Sequence, residues 1–297
     1  MPLSTQPPGR EVSFGQNNRV QCTAHHSESD LSNVVPINIG SSLIEFDLDG
    51  YDYTTLLKTL SELPTPYFYG STSSSEFLDE YRIFLDSFIE HESIAHNAVA
   101  DFISQNKVLS SRISDLKDNS SETSVVVLRN SPHILKTDEL SGIATPDTHG
   151  KTVPNRGTFI AEWFLVGLSK MLGHAVSYPT LKNAQIVHQV CPDPSLPDSL
   201  SSAGFKAPLP PHTDRIADAN SPDFLILSAL RSDDTSRART SVTTVSALTE
   251  SLSEEDINNL EDKAFHHPLP INYSDVDNLE EYNEDSPILT RRPSWQL

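Results

Sequence analysis

The sequence predicts an α+β domain behind a polar lead-in, and three observations support this. Apolar residues recur at helical spacing from Phe77 to Ile103, and a nearly all-apolar helix is expected from Phe159 to Leu172. Short apolar stretches with strand character surround them, the clearest being TSVVVL at 123–128. The 297 residues are enough for a packed core in one large domain or two small ones.

Residues 1–42 are rich in Ser, Pro, Asn and Gln and bury too little apolar surface to offset their ordering entropy, so disorder is expected there. His25-His26 lies inside this segment and reads as part of a solvated tail. The folded domain is expected over 43–297. At its start Ile44, Phe46 and Leu48 alternate with Glu45, Asp47 and Asp49, the period of a strand. The same acids mimic a calcium loop, but the closing glutamate position holds Leu56, so that reading fails.

Leu56, Leu57, Leu60 and Leu63 predict a short helix ending before Pro64. The serines of 71–75 are placed to cap a longer helix. Its apolar face carries Phe77, Tyr81, Phe84, Leu85, Phe88 and Ile89, and continues through Ile94, Ala95, Val99, Phe102 and Ile103; such a stripe is expected to be core. TSVVVL is expected to form a buried strand, followed by a polar connection over 129–156. Thr158 is placed to cap the Phe159–Leu172 helix and Gly173 to end it. Further strands are expected at Gln185–Cys191, Phe224–Leu230 and Thr240–Val245. Ser253 and Asp256 form a capping box for a helix through Leu260.

The charge narrows the partners. With 41 acidic against 21 basic side chains, net −20, the surface repels phosphate backbones and anionic membranes. The longest apolar run carries Glu162 and Lys170 and is too short to cross a bilayer. The first residues lack the apolar core of a signal peptide, and two cysteines, Cys22 and Cys191, make no disulfide framework. A cytoplasmic protein acting on a small molecule is expected, with its oligomeric state left open. The scattered glycines form no phosphate loop, and no G-x-S-x-G elbow occurs.

The chemistry is expected in Pro210-Pro211-His212-Thr213-Asp214-Arg215. On an extended strand His212 and Asp214 project from one face, so an imidazole nitrogen and a carboxylate oxygen take two positions of a facial-triad iron site. Chance composition supplies about 1.5 His-x-acid triplets in such a chain; this one holds two, the other being His26-Ser27-Glu28. A satisfied polar pair is the competing reading of the motif, and context decides between them.

That context is a resemblance. HTDRIADANSPDFLILSALRSDD (212–234) and RARTSVTTV (237–245) resemble the proximal metal segment of the clavaminate synthase-like oxygenases. These are Fe(II)/2-oxoglutarate enzymes related to the taurine dioxygenase family, and the group includes hydroxylases of free arginine and asparagine. Upstream, SVVVLRN, FIAEWFLVGLSKMLGH and NAQIVHQVCP are similar to the segments leading to the metal strand; downstream, DSPILT is similar to the one before the next barrel strand. The match runs over 123–290. It implies a double-stranded β-helix (jelly roll), incomplete at its C-terminal end and flanked by N-terminal helices.

The resemblance further implies Fe(II) held by His212 and Asp214, with Thr240 helping to hold the co-substrate 2-oxoglutarate. The arginine hydroxylases mostly carry Glu where Asp214 stands, so the substrate is an amino acid or related metabolite of unspecified identity. Family members take their distal iron histidine and oxoglutarate arginine from chain past the DSPILT segment. His267, 55 residues after His212, has a spacing used by other iron oxygenases, although it lies in a connecting loop before Pro268. Arg291 and Arg292 are candidates to meet a carboxylate. Three readings stay open: an oxygenase that hydroxylates the metabolite; a truncated, non-catalytic relative acting as a binding or interaction protein, or an incomplete gene product; and an unrelated acidic adaptor protein.

Overall fold

A computed structural model describes residues 43–70, 76–118, 124–132, 158–178, 184–190, 222–230 and 252–265, with shorter pieces at 197–198, 206, 212–214, 242, 245, 249–250, 285 and 287–290. The described residues fall in two compact units. One comprises those within Phe14–Pro210 and Phe224–Thr240, the other those within Pro211–Asp223 and Ser241–Leu297. The expected disordered lead-in, 1–42, lies outside the described residues. So do Thr240, His266, His267, Arg291 and Arg292.

The first unit starts with strand β1, Leu43–Asp47, which pairs in parallel with β2, Val125–Arg129. Leu43 stands opposite Val125 and Asp47 opposite Arg129. Arg129 and Glu45 form an ion pair across the two strands. Asn130, in the left-handed region at φ 55°, donates from Nδ2 to Asp47 Oδ1 at 2.7 Å and closes the end of the pair. β2 is half-buried rather than buried, because β1 is its one neighbour among the described residues.

Three helices connect the strands: α1 (Thr54–Ser61), α2 (Phe77–Ser104) and α3 (Lys107–Asp118). α1 buries Leu56 and Leu60, as its spacing predicts. α2 starts after its N-cap Glu76, whose side chain makes no capping bond; the serines of 71–75, expected to cap it, lie outside the described residues. Its buried stripe is Phe88, Glu92, Ala95, Val99, Phe102 and Ile103; Ile89 and Ile94 turn to solvent instead. α3 has an identifiable start: Asn106 Oδ1 accepts from the backbone N–H of Val108 and Leu109, both at 3.0 Å.

Helix α4, Ile160–Leu172, is the hub of this unit. Eight of its residues are buried, from Ile160 to Leu168, as its all-round apolarity predicts. Phe159 rather than Thr158 is its N-cap, with no side-chain bond, while Gly173 does end it. That glycine is extended (φ 176°), so its role is to stop the helix rather than to supply a left-handed cap.

α4 lies close against α2 because Gly167 faces Ala95 and Val99. A Cβ at 167 would stand 2.6 Å from Val99 Cγ2 and 2.7 Å from the Ala95 carbonyl oxygen. Where the two helices carry charge in the seam, it is paired: Lys170 Nζ donates to the buried Glu92 carboxylate at 2.9 Å. Burial of Glu92 without that partner would carry a large desolvation cost.

Residues 185–190 form no strand. Ala184 sits at φ 58°, and the buried Gln185 uses its side chain where a strand would use its backbone. Its Oε1 accepts from Phe68 N at 2.9 Å and its Nε2 donates to Phe68 O at 2.7 Å. Phe224–Leu230 forms no ladder among the described residues either, although its burial alternates: Ile226 packs on the core while Leu225 and Leu227 are exposed. Of the strand expected at Thr240–Val245, Val242 and Val245 are described; Val242 has no regular structure and Val245 is helical.

In the second unit Ser253 and Asp256 form the expected capping box. Ser253 Oγ accepts from Asp256 N at 3.1 Å, and Ser253 N donates to Asp256 Oδ2 at 3.0 Å. The helix they start is α5, Glu254–Leu260. The backbone N–H groups of Ile288 and Leu289 both donate to the carbonyl of Leu260, satisfying an acceptor that the helix end leaves open.

Candidate functional site

His212 and Asp214 lie in the second unit, and their side chains meet. His212 Nε2 is 3.2 Å from Asp214 Oδ1. The local backbone is not a strand: His212 and Thr213 have no regular structure and Asp214 is in a turn. The two side chains therefore converge through a turn, not along one face of a pleat. Both stay open to solvent, with side chains 48% and 42% exposed.

This spacing suits a metal as well as it suits a hydrogen bond. Two ligands occupying adjacent corners of an octahedron, each about 2.1 Å from the ion, are about 3.0 Å apart. The donor types, one imidazole nitrogen and one carboxylate oxygen, also suit a divalent first-row metal. Among the described residues no group of three or more His, Cys, Asp or Glu side chains is placed to hold a metal ion. The further residues named for this site, Thr240, His267, Arg291 and Arg292, lie outside the described residues.

A concave feature belongs wholly to the first unit and has no counterpart in the sequence reading, which takes its aromatic residues as core. It is a groove of about 590 Å³ between α2 and the segment Pro64–Gly70. The α2 wall carries Glu80, Ile83, Phe84, Ser87, Phe88 and His91, and Trp163 of α4 also lines it. The i, i+4, i+7, i+11 spacing of Glu80, Phe84, Ser87 and His91 puts them on one helical stripe and is the signal that locates this wall.

Three sets of hydrogen bonds fix the opposite wall. Trp163 Nε1 donates to Pro64 O at 2.7 Å, and Tyr67 Oη donates to Glu162 Oε1 at 3.2 Å. The Gln185 side chain holds Phe68 by both backbone groups. Beside the groove, Tyr81 Oη donates to Ala184 O at 2.8 Å, and burial raises its pKa above the ordinary phenol value.

No family model matches the chain, and no curated protein matches it significantly. Among the described residues no helix is long and apolar enough to cross a membrane.

Proposed function

We propose that the protein is a cytoplasmic Fe(II)/2-oxoglutarate-dependent oxygenase that hydroxylates a small amino acid or related metabolite, built on a double-stranded β-helix. The observation that carries this reading is the order of segments around His212-Thr213-Asp214, from SVVVLRN through the metal motif to DSPILT. The 3.2 Å approach of the imidazole nitrogen to the carboxylate oxygen, in a solvent-open turn, supports it.

In this reading His212 Nε2 and one Asp214 oxygen hold the iron, and Thr240 helps to place the oxoglutarate. Iron with oxoglutarate, when bound, supplies the oxidising power for C–H hydroxylation. The protein's part is to present both donors deprotonated, so protons compete with the metal for the two side chains. Their 3.2 Å approach lowers the ordering that binding requires.

The test is anaerobic Fe(II) uptake by the purified chain, followed by succinate release on adding oxoglutarate and air. Uptake at micromolar iron, lost in His212→Ala and Asp214→Ala, is expected, with oxoglutarate-dependent succinate. No uptake at micromolar iron would overturn the assignment. Uptake without succinate under any substrate mixture would favour the non-catalytic relative.

A further inference from the structure

We propose that residues 224–230 form a self-association surface, onto which a second copy of the chain adds its own 224–230 as an antiparallel strand about a twofold axis. The inference rests on this segment of the first unit and not on the iron-site reading.

The segment reads FLILSAL, and its exposure alternates. Leu225 and Leu227 are 63% and 64% exposed, while Ile226 between them packs on the core. Asp223, in step with the two leucines, is exposed as well. A period of two belongs to an extended strand with one face in and the other out. The backbone of 224–230 forms no hydrogen bond with any described residue. An extended apolar segment whose ladder is unmade is a template for a further strand.

The pattern of the segment selects its own copy as that strand. Opposed residues of an antiparallel pair point to the same face, and a slip of one residue would set core-facing side chains against outward ones. Of the registers that remain, the one centred on Leu227 overlaps the whole apolar run. Leu227 then meets the copy's Leu227, Leu225 meets Ala229, Phe224 meets Leu230 and Ile226 meets Ser228. Charge closes both ends. Asp223 precedes the run and Arg231 follows it in the sequence, so each Asp223 falls opposite the copy's Arg231. Centring on Ser228 would instead set Asp223 against Asp233 and Leu225 against Arg231. Centring on Ile226 would set Asp223 against Ala229 and Arg231 against Ser221, losing both ion pairs.

The association is isologous: the same strand serves both partners, and the contact closes at two chains. Pairing takes the two exposed Leu227 side chains out of water together and gives the backbone groups a ladder. Two chains of net −20 repel one another, and a single strand pair is a small interface, so the dimer is weak.

The test is sedimentation equilibrium of the full chain over about 1–500 µM, with an expected dissociation constant of about 10–100 µM. Leu227→Lys sets a charge against its own copy and should leave a monomer at every concentration. Its urea unfolding at about 1 µM should match the parent chain, because the leucine it replaces is exposed. Asp223→Arg and Arg231→Asp should each weaken the dimer about tenfold by opposing like charges, and the two together should restore it. That rescue is specific to the register centred on Leu227. A parent chain monomeric throughout would overturn the proposal, as would a dimer indifferent to Leu227→Lys or a double variant no tighter than the single ones. A marked loss of stability in Leu227→Lys would mean that the chain itself covers this face, and would overturn it equally.

Discussion

The α2–α4 seam and the His212–Asp214 turn are held by different physics. In the seam, Ala95, Val99, Phe102, Trp163 and Phe164 are buried and each limits its neighbours, so one changed volume is felt by all of them. In the turn, two half-exposed polar side chains meet, and water can replace either partner. The first region is rich in stability and poor in freedom; the second tolerates substitution and is open to a ligand. Stability measurements should therefore separate the two, and binding measurements should separate them in the opposite sense.

The largest effect is expected from Phe102→Ala. That ring is buried and stacks on Tyr53 at 4.9 Å, with Phe164 at 6.4 Å, so the variant should lose about 3–5 kcal/mol in urea unfolding. Next comes Gln185→Ala, which leaves the buried Phe68 N–H and carbonyl without their amide partner. A loss of about 2 kcal/mol is expected, and faster hydrogen exchange at the Phe68 amide would show that the lost bond is the cause.

His212→Ala tests the other side of the comparison. It should change stability by no more than about 0.5 kcal/mol while removing iron uptake. A loss of several kcal/mol would mean that the turn is structural after all. The smallest effect is local to the capping box. Hydrogen bonds from the Ser253 side chain and backbone hold the Asp256 carboxyl below its ordinary range. Their stabilisation is present at neutral pH and is lost as pH falls through that lowered pKa. In Ser253→Ala the Asp256 titration, followed by carbon NMR, should move up towards an ordinary aspartate.

What the sequence conveyed follows the same division. Periodic burial is written in residue type, so α1, the deep α4 and the core end of α2 are readable, and so is the Ser253–Asp256 box, which is purely local. The segment at Gln185 is not readable. Ile186, Val187 and Val190 have a strand's composition, but Ala184 turns at positive φ and a glutamine side chain takes over the backbone pairing. α3 went unpredicted because it buries only Leu109 and Ile113, and its signal is the Asn106 cap. Glu92 in the seam is likewise hidden, since its partner Lys170 is 78 residues away. For the sites, residue type nominated His212 and Asp214, but nothing local to them says that a turn brings them together. The groove wall was legible as an aromatic stripe; that it faces a cleft depends on Pro64–Gly70, which no period in α2 encodes.

The parallel pairing of β1 with β2 has a consequence for the order of events during synthesis. Val125 follows its partner Leu43 by 82 residues, and no hairpin can join parallel neighbours. Closing a flexible loop of that length costs about 4 kcal/mol in chain entropy. Helices α1, α2 and α3 shorten the gap, so the pair is expected to close after they form. At about 5–20 residues per second, β1 emerges from the ribosome roughly 4–16 s before β2 is complete. Throughout that interval an acidic strand carrying Glu45 and Asp47 waits unpaired, and those charges keep it from pairing with copies of itself on neighbouring chains.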